Sequence, residues 1–226
     1  MLTPFLTLLL PPLLLVPAMG LLSSIESHGP IEAELRRKSF HILTGLASLT
    51  FPVFLDEPWK VIVAMSLAVG WMMTVRRAPK VRQFFGGVLH DADRVSHGEL
   101  YFAVAIGALL LAADGNVVLY VVPVLILTLA DAIAAIVGRM YPLLPLGGPA
   151  RGKTTTGSAA FFLTALIVTW SALLGYTDLS VAASLGASVT IASATCFAEA
   201  ISTKGFDNLA VPTVALFLLK LFVVGA

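Results

Sequence analysis

Apolar runs of roughly span length, repeated along nearly the whole chain, leave little choice of fold. A helix needs roughly 20 such residues to cross a bilayer, and in lipid every backbone amide must be satisfied inside a helix or a closed barrel. Candidate spans cover residues 2–22, 39–55, 59–75, 99–113, 116–138, 157–175, 179–199 and 208–225. Several are short, so tilted or merged spans are compatible with the pattern. Only 12% of the residues are charged, against about 25% in soluble domains. The expectation is an all-α, polytopic integral membrane bundle of about eight transmembrane helices, with residues 1–226 forming a single domain.

Residues 2–22 could be mistaken for a signal peptide. However, no Lys or Arg precedes Leu10, and Pro4, Pro11, Pro12 and Pro17 interrupt the run. A cleaved signal carries a positive amino-terminal region, so a retained, irregular first span is expected. The single cysteine, Cys196, excludes an internal disulfide and a cysteine-based zinc site, and it reads as a small buried hydrophobe.

Charge gives the orientation. The short turns at 56–58, 114–116 and 175–178 fall on one side of an eight-span arrangement. On the other side lie Arg36, Arg37, Lys38, Arg76, Arg77, Lys80, Arg82, Arg94, Arg139, Arg151, Lys153 and Lys204. By the positive-inside rule that side is cytosolic and both termini are outside. The expected location is the inner membrane of a cell, with the polar segments facing the cytosol. Within residues 76–98, Val81, Phe84, Phe85, Val88 and Leu89 recur at helical spacing, which predicts an amphipathic helix lying in the cytosolic interface.

Residues 128–160 hold the chain's most unusual chemistry. Asp131 lies inside an apolar run, and an acid at membrane depth needs a partner or a role. Gly138 falls on the same helical face, with Ala134 and Ala135 nearby to permit close helix contact. A polar hairpin follows, with Gly147, Gly148, Arg151, Gly152 and Lys153, then Thr154, Thr155, Thr156, Gly157 and Ser158. The stretch 147–154 matches the P-loop pattern GxxxxGK[ST], but that motif has meaning only between a strand and a helix. Here it follows a membrane span, and the P-loop fold is rejected. Free amides at a helix start, an ammonium and several hydroxyls still suit a phosphate group; they equally suit a basic loop with a hydroxyl cap.

Three further constellations share the cytosolic side. Glu34, Lys38, His41 and Gly45 occupy one helical face beside Arg36 and Arg37, fit either for a polyphosphate or for a juxtamembrane anchor. Glu199 closes the seventh candidate span, and Asp207 and Asn208 open the eighth. They could serve as helix caps or, with Asp131, as a carboxylate clamp for Mg2+. Arg94, Ser96 and Glu99 stand at the mouth of the fourth span as a weaker, substrate-side group. His28, His90 and His97 show no metal-ligand spacing and read as surface residues.

Taken in order, these segments resemble the membrane-bound polyprenol kinase family, which includes dolichol kinases, phytol kinases and fungal CTP-dependent diacylglycerol kinases. Arg37, Lys38, His41 and Gly45 resemble its early motif, and Asp131 through Gly138 and Arg139 its central acid and Gly-Arg. Lys153, Gly157 and Ser158 resemble its Lys–small–Gly–Ser step, and Glu199, Gly205, Asp207, Asn208, Leu209 and Pro212 its late motif. The Thr triplet after Lys153 departs from the Ser or Glu of many relatives. The resemblance implies transfer of the γ-phosphoryl group of CTP to a lipid alcohol, such as phytol, farnesol, geranylgeraniol, a polyprenol or diacylglycerol. It implies a nucleotide site of Arg37, Lys38, Gly138, Arg139, Lys153, Thr154, Gly157, Ser158 and Asn208, with Mg2+ held by Asp131, Glu199 and Asp207. Asp131, Lys153 and His41 are then the catalytic candidates, the proton acceptor being a carboxylate or His41. No nucleic-acid partner is expected. Two other readings stay open: a phosphatidate cytidylyltransferase, whose later Gly-His-Gly-Gly segment is missing here, and a small transporter with Asp131 as its ion site.

Overall fold

Helix-start chemistry divides the chain. Pro30 and Pro58 stand at the first turns of two helices, where proline's missing amide has no helical partner to lose. Asn116 accepts from the amides of Val118 and Leu119, Thr154 from that of Gly157, and Ser180 from that of Ala183. Each thereby satisfies amides that an open helix end would strand. The computed structural model describes residues 16–17, 20–22, 24, 29–78, 80–81, 97–147 and 152–224.

Among the described residues there are seven principal helices: α1 (Pro30–Ser48), α2 (Pro58–Arg77), α3 (Gly98–Ala113), α4 (Val117–Met140), α5 (Thr155–Tyr176), α6 (Val181–Ile201) and α7 (Asp207–Val224). A short helical turn, Phe51–Phe54, links α1 to α2. No strand occurs among the described residues, only an isolated bridge between Pro145 and Thr154. The described chain is therefore all-helical.

Among the described residues, α2, α4, α5, α6 and α7 are long and apolar enough to cross a membrane. The expected fourth span, α3, is apolar but has only 16 residues, about 24 Å of helix against a hydrocarbon core near 30 Å. The expected second span is divided between α1, whose first half carries the charged stripe, and the turn at Phe51–Phe54. The expected first span lies outside the described residues apart from a few positions, and so does the interfacial helix apart from Val81. Leu163, Ile167, Phe197 and Phe217 are all more than half exposed on the outer faces of α5, α6 and α7, as lipid-facing residues of a bundle are.

The core is built around α4. In its most apolar window 72% of residues are buried, against 22% for α2, so α4 is the central rod and the others surround it. Helices α1, α3, α5 and α7 pack on it directly. Residues Ile126–Ala130 in α4 form a π-helical segment ending immediately before Asp131. Gly45 marks the crossing of α1 over α4: a Cβ there would lie 2.7 Å from the Cβ of Thr128 and nearer still to its Oγ1 and Cγ2. Tyr120 Oη donates to the Ser48 carbonyl at 2.7 Å and fixes the far end of the same pair.

Candidate functional site

Asp131 is buried at 7% exposure, and four other segments bring charge around it. Lys38, in the middle of α1, places Nζ 2.5 Å from Asp131 Oδ2. Lys153, just ahead of α5, places Nζ 2.6 Å from Glu199 Oε1 and 3.5 Å from Asp207 Oδ2. It also donates to the main-chain carbonyl of Glu199. Asp131, Glu199 and Asp207 each offer a carboxylate oxygen within 4.8 Å of those of the other two. The end of α6 and the starts of α5 and α7 thus meet the side of α4. The turn into α7 uses left-handed backbone at Lys204 and Gly205 (φ 54° and 84°), a conformation that glycine adopts without steric cost. Three carboxylates and two ammonium groups, largely removed from water, offset one another's desolvation.

His41 borders this cluster. Its Nε2 lies 3.0 Å from the Leu127 carbonyl and 3.5 Å from Asp131 Oδ2. A carbonyl only accepts, so in this contact Nε2 carries the proton and the imidazole bridges α1 to the π-helical segment. The ring also meets Phe102 of α3 edge-on at 5.3 Å.

A second cluster lies on Glu34, which is 6% exposed. Arg37 donates to both its oxygens, at 2.6 and 3.1 Å, and Arg139 Nη2 lies 3.4 Å away. Burial alone would push the Glu34 carboxyl up. The Arg37 hydrogen bond and the charges of Arg37, Lys38 and Arg139 prevail and hold it below the ordinary value. Arg37 and Lys38 are therefore neighbours in sequence with different partners.

Gly138, Thr154 and Gly157 form the closest approach of α4 to α5. A Cβ on Gly138 would lie 2.8 Å from Thr154 Oγ1, and one on Gly157 would lie 2.9 Å from the Ala134 carbonyl. These glycines let the two backbones touch, which delivers Lys153 to the carboxylates. Thr155 and Thr156 donate to the Leu143 and Tyr141 carbonyls and hold the start of α5 onto the preceding loop. The Ser158 hydroxyl oxygen is buried without a hydrogen-bond partner, while its carbonyl accepts from the half-buried Cys196 thiol at 3.3 Å. Asn208 donates through Nδ2 to the Gly98 carbonyl at 2.8 Å, tying α7 to α3.

Of the sequence-derived candidates, Lys38, His41, Asp131, Lys153, Glu199 and Asp207 thus converge directly. Arg37 and Arg139 gather around Glu34, and Gly138, Thr154 and Gly157 make the adjoining helix contact. Glu99 pairs with Arg76 at 3.3 Å, and Arg76 also lies 2.6 Å from His97 Nδ1. Gly148, Arg151, Arg94 and Ser96 lie outside the described residues. Thr128 was not among the candidates, although it sits fully buried beneath Gly45 with its hydroxyl unpartnered. Its place three residues before Asp131 was the available signal.

The chain matches no protein-family model, no curated protein and no solved structure.

Proposed function

We propose that the protein is a membrane-bound lipid kinase that transfers the γ-phosphoryl group of CTP to the hydroxyl of a lipid alcohol, an isoprenoid or diacylglycerol. The observation that carries this reading is the convergence of Lys38 and Lys153 with Asp131, Glu199 and Asp207 at one end of an apolar bundle. The ordered resemblance of the motifs between residues 34 and 212 to polyprenol kinases supports CTP as donor. In this reading the bundle has about eight spans with an interfacial helix near residues 81–89. The polar end faces the cytosol and both termini lie outside, as the distribution of Lys and Arg favours.

Phosphoryl transfer depends on positioning and charge neutralisation more than on covalent help from the protein. Lys153 and Lys38 supply positive charge to the phosphate oxygens, with Arg37 and Arg139 beside them. The donor set of the three carboxylates is all oxygen, the hard chemistry that Mg2+ takes, so the residues present fit that ion. When bound, Mg2+ would draw charge from the transferring and leaving phosphates. A carboxylate of the cluster accepts the hydroxyl proton as the new oxygen–phosphorus bond forms and the bond to CDP breaks. The lipid tail stays among the apolar faces of the helices.

The test is product analysis with purified protein, Mg2+, γ-labelled CTP and a panel of phytol, farnesol, geranylgeraniol, undecaprenol and diacylglycerol. Label is expected in one lipid product and is lost in Asp131→Asn and Lys153→Ala. Labelled pyrophosphate released from CTP when phosphatidate is supplied, with no lipid labelled, would instead identify a cytidylyltransferase. Folded protein inactive in both assays would refute nucleotide chemistry at this site.

A further inference from the structure

Lys153 binds as a metal ion would. Its ammonium faces two carboxylates from different helices, Glu199 and Asp207, together with the main-chain carbonyl of Glu199. That carbonyl belongs to the last turn of α6, where the helix dipole favours a cation. All three groups are oxygen donors aimed at one positive centre.

The two lysines of the cluster are held differently. Lys38 is part of a helix and its side chain is 4% exposed. Lys153 stands outside a helix, next to Gly152 with its left-handed backbone (φ 93°), and its side chain is 22% exposed. A four-carbon stem on such a part-exposed segment can withdraw towards solvent by rotamer changes, whereas the Lys38 stem is almost wholly enclosed by its neighbours. A dication on Glu199 and Asp207 would also repel an ammonium a few ångströms away.

We propose that the Lys153 ammonium and a divalent cation are competing occupants of the Glu199–Asp207 pair, so that cation binding releases Lys153 towards the phosphate chain of the nucleotide. This rests on the reading of the cluster as the cation site of a lipid kinase. Lys153 is then an internal counter-ion that keeps the carboxylates together before the cation arrives. Lys38 stays on Asp131 throughout.

The experiment titrates the full-length protein with Mn2+ alone, without nucleotide, and follows free Mn2+ by electron paramagnetic resonance. Lys153→Met, which keeps the apolar stem, is expected to bind Mn2+ at least tenfold more tightly than the unaltered protein. Adding Glu199→Gln or Asp207→Asn to it should abolish that gain. Equal or weaker binding by Lys153→Met overturns the competition. A second measurement needs no variant: acetylation of Lys153 by an amine-acylating reagent, read by peptide mass spectrometry, should rise at least threefold when Mn2+ is added. Unchanged or reduced acetylation overturns the proposal. If Asp131→Asn, Glu199→Gln and Asp207→Asn each bind Mn2+ like the unaltered protein, the cation-site reading falls and the competition with it. If those variants lose Mn2+ while Lys153→Met gains nothing, only the competition falls.

Discussion

The crossing of α1 and α4 at Gly45 sets the geometry of the charged cluster, and a size swap tests it. In Gly45→Ala the new methyl would lie 2.7 Å from Thr128 Cβ. Rotating Thr128 about χ1 can swing Oγ1 and Cγ2 aside but leaves its Cβ in the way. Ordinary carbon contacts lie at about 3.5–4.0 Å, so the helices must part by roughly 1 Å. The Lys38–Asp131 contact, now 2.5 Å, belongs to the same helix pair and would lengthen by a similar amount. Overpacking of this kind costs about 1–3 kcal/mol. Thr128→Gly alone removes a hydroxyl that has no partner and costs only about 0.3 kcal/mol through helix propensity, because threonine is itself a weak helix former. Combining the two places the methyl where the threonine was, so the double variant should be more stable than Gly45→Ala. Thermal unfolding in detergent, followed by tryptophan fluorescence, reads the four proteins. Each kcal/mol corresponds to about 2–4 °C for a chain of this size. Simple addition of the two losses would refute direct packing of Gly45 on Thr128.

Other consequences follow from the same contacts. Lys38→Met leaves the buried Asp131 without its closest partner, which should cost about 3–5 kcal/mol; adding Asp131→Asn should recover most of it, as the same unfolding assay would show. Thr154→Ala removes the hydroxyl that caps α5 and should cost about 1 kcal/mol, while Thr154→Ser retains it. Glu34 has a folded-state value depressed below its ordinary 4.5. Its stabilising share is therefore full above that value and lost as pH falls through the lower, folded one. Stability measured against pH should decline below about 4.5 from this group, and Glu34→Gln should be weaker at neutral pH with a flatter acid limb.

The apolar runs made the helical class readable, because hydropathy and length act within one segment. Pairing was not readable in the same way. Arg37 and Lys38 look like one basic patch in sequence, yet successive helical residues point about 100° apart, and the two serve Glu34 and Asp131 respectively. Gly138 and Gly157 enter the nucleotide site only through the family resemblance, although Gly138 with Ala134 and Ala135 also reads as a surface for close helix contact. In the structure they are where α4 and α5 touch, a relation that needs both helices placed. Asp131, Lys153, Glu199 and Asp207 stood out because charge in apolar surroundings is conspicuous. Gly45 stood out only as a member of the Lys38–His41 face, and Thr128, the uncharged residue it packs on, did not stand out at all.

The π-helical segment Ile126–Ala130 gives α4 two registers on one rod. Val122, Ile126 and Ala130 are all fully buried, and an uninterrupted α-helix would continue that stripe to Ile133. Instead Ile133 is 38% exposed and Ala134 is 6% exposed, so the inward stripe has advanced by one position, about 100° of helical phase. The extra residue lets the first half of the helix present bulky packing groups and the second half present Asp131, Ala134 and Gly138. Removing one residue from this segment would rotate the acid away from Lys38 and His41 while leaving every charged group in the sequence intact.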